Sequence, residues 1–114
     1  GNGEVNLTAL ECSYKEIRLQ PIVRKDMKLN WPFIETRTHW ITTGFNEDLN
    51  VAMTNAVREA VDWLANQKMV PMDRYEAYGL VSMVGDCRVS QVVDVRKGVH
   101  CMIPKSIFSD QKKS

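Results

Sequence analysis

Residues 46–66 read NEDLNVAMTNAVREAVDWLAN, and their reading decides the fold. Leu49, Met53, Ala56, Val57, Ala60, Val61 and Leu64 recur at steps of three and four, which lines one face of a helix. Asn46 can cap that helix, and Glu47 and Asp48 complement the positive end of its dipole. The spacing predicts a helix over 47–66. Val70-Pro71 interrupts it, since proline excludes helical geometry at the residue before it. Asp73 and Glu76 have the spacing of a capping box for a second helix. Ala77, Leu80, Val81 and Val84 form its buried face, and Gly85 is the expected left-handed residue that ends it.

Working outward, both flanks read as strands. Toward the C-terminus, residues 89–95 are almost continuously β-branched, the pattern of a strand covered on both faces. Arg96-Lys97-Gly98 has the length of a hairpin loop, residues 99–103 form the return strand, and Pro104 ends it. Toward the N-terminus, residues 31–43 are rich in Trp, Phe, Ile and Thr and form one extended stretch closed by Gly44. Residues 24–30 are a charged loop. Alternation predicts further strands over 4–9 and 14–23, the latter at an edge because Pro21 lacks a ladder donor. Strands, two consecutive helices, then a C-terminal β-hairpin make an α+β fold, with the helices on one face of an antiparallel sheet.

Composition bounds the function classes. The 114 residues are 44% hydrophobic and 25% charged, as in an ordinary folded domain, and too few for two full cores. Fifteen Lys and Arg against fourteen Asp and Glu leave a formal charge of +1, which excludes the broad positive field of a nucleic-acid binder. No apolar run is long enough to span a bilayer, so no membrane partner is expected. Cys12, Cys87 and Cys101 form no C-x-x-C motif and cannot all pair within the chain. That argues against a disulfide framework or zinc knuckle, for an inert buried thiol at Cys87, and for a reducing, cytoplasmic location.

Few residues invite chemistry. His39 and His100 lack a second ligand at metal-binding spacing and read as structural. A P-loop, a nucleophile elbow and a dinucleotide glycine pattern are absent. Two acidic segments stand out. Gly1-Asn2-Gly3-Glu4 puts a carboxylate after a glycine-flanked turn, where backbone can approach a small ligand. Gly85-Asp86-Cys87-Arg88 puts an acid and a base two apart, so that a strand would carry both on one face.

The run 85–94, Gly-Asp-Cys-Arg-Val-Ser-Gln-Val-Val-Asp, closely resembles the C-terminal signature of the acetamidase/formamidase family. Residues 1–11, Thr43-Gly44-Phe45-Asn46-Glu47-Asp48-Leu49 and Ile103-Pro104-Lys105 resemble further family segments in the same order. The resemblance implies the C-terminal part of a longer amidohydrolase, which converts short amides such as formamide or acetamide to ammonia and a carboxylate. It implies a divalent metal, zinc first, in the full-length enzyme, with no complete metal site in this chain. It implies as partners the small amide, an absent β-rich N-terminal portion and further copies of the chain. Residues 1–24 would then be strands continuing that portion, 25–108 the α+β domain, and 109–114 a polar tail. Glu4 takes the position of the motif glutamate and is the expected general base or orienter of a metal-bound water, with Asn2 and Gly3 positioning substrate or turn. Asn2 stands where the family commonly has Asp, and Cys87 where it has an aliphatic residue. Asp86 and Arg88 are expected to brace the structure beside the site. The competing reading is a stand-alone α+β binding or assembly module that kept the scaffold without catalysis.

Overall fold

The computed structural model describes residues 4–6, 8 and 11–108. Its elements run β1 (Phe33–Glu35), β2 (His39–Asn46), α1 (Leu49–Asn66), α2 (Arg74–Val84), β3 (Asp86–Gln91) and β4 (Lys97–Pro104). The four strands pair antiparallel in the order β1-β2-β4-β3, so the last strand is inserted between β2 and β3. Both helices pack on one face, which makes the fold the expected α+β arrangement.

Helix α1 begins at Leu49 because Asp48, not Asn46, is its cap: the Asp48 carboxylate accepts from Asn50 N, and Asn46 Oδ1 accepts from Asp48 N. Its stripe is fully buried at Ala52, Ala56, Ala60 and Leu64. Small residues let the helix lie close on the sheet. Gly44 makes the approach possible, since a Cβ there would fall 2.3 Å from the Ala52 carbonyl oxygen. Thr42 Oγ1 donates to the Ala56 carbonyl at 2.9 Å and so fixes β2 to α1 inside the core. Helix α2 starts with the expected capping box between Asp73 and Glu76. An Arg74–Asp62 ion pair joins it to α1. One core cluster gathers Trp40, Val61, Leu64, Val81, Ile103 and Phe108; a smaller one gathers Ala52, Ala56, Val99 and Cys101. Trp40 and Trp63 pack with ring centroids 4.4 Å apart and planes tilted by 36°.

Several expectations are corrected. Gly85 is extended (φ −68°, ψ 134°), not left-handed, because the chain runs straight into β3. Glycine is needed there for space, as a Cβ would lie 2.6 Å from the Val81 carbonyl oxygen. The stretch 31–43 is not one strand: Thr36 Oγ1 accepts from the backbone N–H groups of Thr38 and His39 and folds it into a β1–β2 hairpin. The strand expected over 89–95 stops at Gln91 after a bulge between Val89 and Gln91. Asp94 and Val95 then take positive φ, and Val95 is 75% exposed, so this stretch turns instead of being buried on two faces. Lys97 and Gly98, expected in the loop, open β4.

No strand forms over 14–23, where Tyr14, Ile17, Leu19, Ile22 and Val23 are exposed. Alternation there has no partner among the described residues to satisfy a ladder. Among the described residues of the strand expected over 4–9, Glu4 alone makes a bridge, and Asn6 Oδ1 accepts from Thr8 N in a local turn that competes with extension. Residues 1–3, 7, 9–10 and the tail 109–114 lie outside the described residues.

The cysteine expectation is also corrected. Antiparallel register sets Cys87 opposite Cys101 with Cα atoms 4.0 Å apart, and the two sulfurs are bonded. Sequence spacing held no sign of this, because the pairing arises only when β3 and β4 align. A disulfide in the helix-facing core removes the cysteine argument for a reducing compartment. Cys12 is free and exposed. Among the described residues no helix is long and apolar enough to cross a membrane.

Candidate functional site

The helices cover the sheet face that carries Trp40, Thr42, Val99, Cys101 and Ile103. Alternation sends the intervening residues to the other face, which the helices leave open. There, register aligns Thr43, His100 and Arg88 in one row across β2, β4 and β3, with Ile41, Met102 and Asp86 in the next.

Asp86 and Arg88 share this face, as their spacing requires, and form an ion pair at 2.8 Å. The Arg88 hydrogen bond holds the Asp86 carboxyl below the ordinary carboxylate range. Both side chains are about half exposed, so the pair orients more than it stabilises. His100, directly opposite Arg88, is half-buried, and its Nδ1 lies 2.5 Å from Ser90 Oγ. Burial, and then the positive charge of Arg88, push His100 below the ordinary histidine value of 6.5. The ring is therefore neutral at pH 7. The tautomer protonated on Nε2 leaves Nδ1 to accept from Ser90.

Glu4 reaches the same sheet from its outer edge. Its N–H donates to the Ser90 carbonyl and its carbonyl accepts from Val92 N, both at 2.9 Å, in a parallel bridge to Gln91. The β3 bulge decides which way this points. Strict alternation would turn Gln91 toward the helices, yet it opposes Gly98, whose missing Cβ would lie 2.8 Å from Phe45 Cε1 and 3.4 Å from Gln91 Cγ. Phe45 is on the open face, so Gln91 is too, and bridged residues present to a common face. The two acidic segments thus share one face, with Glu4 at the Gln91 end of β3 and Asp86 with Arg88 toward the other end.

Asn2 and Gly3 lie outside the described residues. His39 stays at the surface, bonding Thr38 Oγ1 at 2.8 Å. The Ser90–His100 contact was not foreseen; its signal is a serine in a valine-rich run, facing a histidine on the return strand. Among the described residues no three His, Cys, Asp or Glu side chains converge to hold a metal ion. With Arg88 opposite and Nδ1 already engaged, His100 is a poor start for one. Among the described residues, no set fits the metal that the resemblance implies.

Two depressions of about 530 and 880 Å³ lie elsewhere, where residues 24–30 rest loosely against Phe33 and Trp63. Neither is lined by Glu4, Ser90 or His100. The groups able to move protons stand on the open sheet face, and we place the candidate site there.

No family model and no curated protein matches the sequence. Solved structures do. The chain is similar to the acetamidase of Bacillus halodurans at 30% identity and a TM-score of 0.63, over 70% of this chain and 26% of that one. It is similar to the acetamidase of Yersinia enterocolitica at 27% identity and a TM-score of 0.68, over 74% of this chain and 25% of that one. The chain thus spans about a quarter of the length of the acetamidases that it matches, and over that quarter it shares their fold.

Proposed function

We propose that this chain forms the C-terminal part of a hydrolase that cleaves short linear amides, of the formamide and acetamide kind, to ammonia and a carboxylate. The likeness to two acetamidases carries the reading. The backbone bridge that sets Glu4 at the edge of the β3–β4 polar face supports it, because hydrolysis of an amide needs water activated and the leaving amine protonated. In this reading the Glu4 carboxylate takes a proton from the attacking water. Arg88, braced by Asp86, supplies positive charge near the oxyanion that develops on the carbonyl. No step is routed through a metal. The complementary portion of the enzyme corresponds to the remaining length of the acetamidases, and this chain by itself is expected to be inactive.

The test compares two carboxylates in an enzyme assembled from this chain and the remainder of the Bacillus halodurans acetamidase. Glu4→Gln should leave the melting temperature unchanged and lower kcat for formamide by about a hundredfold or more. Asp86→Asn should lower the melting temperature and leave most of the turnover. A Glu4→Gln enzyme with full kcat, beside a stable Asp86→Asn enzyme without any, would show the two roles to be reversed.

A further inference from the structure

Glu4 can activate water, but nothing in its backbone bridge explains the arrangement next to it. Alternation along β3 carries Ser90 to the open face with Asp86 and Arg88, and the bulge between Val89 and Gln91 brings Gln91 to that face beside it, a distortion that recurs next to active sites. Ser90 there presents a hydroxyl 2.5 Å from a ring nitrogen of the half-buried His100. That is the reach of a nucleophile and its base. Beyond the bulge, Asp94 and Val95 hold positive φ of 63° and 69°, and for a β-branched residue this is a costly backbone state of the kind that gathers near functional sites.

We infer that Ser90 is a nucleophile and His100 its base, and that acyl transfer here passes through an ester on Ser90. The inference rests on the amide-hydrolase reading and specifies its route. Ser90 Oγ bonds to the carbonyl carbon as its proton passes to His100 Nδ1. Collapse of the tetrahedral intermediate breaks the C–N bond, and the same proton leaves with ammonia. Water, its proton taken by Glu4, then adds to the ester carbon; the bond to Ser90 Oγ breaks, Glu4 returns the proton to that oxygen, and the acid leaves as carboxylate with its own proton going to solvent. Neutral His100 is the form able to begin this sequence at pH 7, and Arg88 in the same row carries the charge that an oxyanion needs.

The pair can be tested on this chain as it stands. p-Nitrophenyl acetate delivers an acetyl group to a leaving group that needs no protonation. Peptide mass spectrometry should find the acetyl ester on Ser90, and Ser90→Ala should lack it. His100→Gln should slow labelling by about a hundredfold or more at an unchanged melting temperature. Ser90→Cys guards against a folding defect in Ser90→Ala and should give a hydroxylamine-sensitive thioester at the same position. Acetyl groups on lysines alone, or labelling of Ser90 at an equal rate in His100→Gln, would overturn the inference. The assembled enzyme separates this route from the wider reading: full formamide turnover by Ser90→Ala removes the ester intermediate and keeps amide hydrolysis. Labelling of Ser90 in an assembled enzyme with no amide turnover keeps the pair and removes the amide.

Discussion

Protonating His100 would set a second positive charge opposite Arg88 and take Nδ1 away from the Ser90 hydroxyl. Its folded-state value is depressed below 6.5, first by burial and then by Arg88, while Asp86 pulls the other way. The unfolded chain therefore binds the proton at a higher pH than the folded one does. The stability from neutral His100 is fully present above 6.5 and is lost as pH falls from 6.5 toward the lower folded value. Asp86 is also depressed, but its share is lost only below the ordinary carboxylate value of 3.8, so the two windows separate. Thermal melts should show a lower melting temperature at pH 5.5 than at 7.5, and His100→Gln should shrink that difference. An unchanged difference in the variant would mean that another group carries it. Sequence alone marked Glu4, Asp86 and Arg88 and left His100 as structural, because its partner is set by strand register. The same register joins Cys87 to Cys101, and neither pairing leaves a trace in local spacing.

The approach of α1 to β2 depends on Gly44, where an added Cβ would press on backbone, 2.3 Å from Ala52 O and 2.5 Å from Ala56 N. Backbone cannot turn aside as a side chain can, so Gly44→Ala should cost about 1–3 kcal/mol in denaturant unfolding. Gly79, inside α2, is the converse case: nothing lies within 4 Å of its would-be Cβ. Gly79→Ala should stabilise by about 0.5–1 kcal/mol, through helix propensity alone. Removing the Asp73 cap with Asp73→Ala should cost about 1 kcal/mol. Both helices were legible because their stripes and caps are local signals. Strand limits were not: Thr36 folds a hairpin into an apparently continuous run, and a one-residue bulge ends β3 inside a β-branched stretch. Hydrophobic alternation over 14–23 lacks a partner among the described residues, and period alone does not make a strand.

Across the molecule, helices and sheet form a core on one face, and the polar groups proposed for catalysis stand on the other. Residues 11–23 are exposed throughout, so removing residues 1–23 should destabilise less than Val61→Ala, which empties space beside Leu64 and Val81 at about 1–3 kcal/mol. A larger loss from the deletion would show that the Glu4 bridge and its neighbours hold the sheet together. The amide-hydrolase account depends on this chain doing in an acetamidase what the matching quarter does there. The most direct measurement grafts it in place of that quarter of the Bacillus halodurans acetamidase and follows ammonia release from acetamide and formamide. The account predicts turnover by the graft, lowered by about a hundredfold or more in Glu4→Gln and absent from this chain alone. A graft that folds and assembles like its parent yet releases no ammonia from either amide would contradict it.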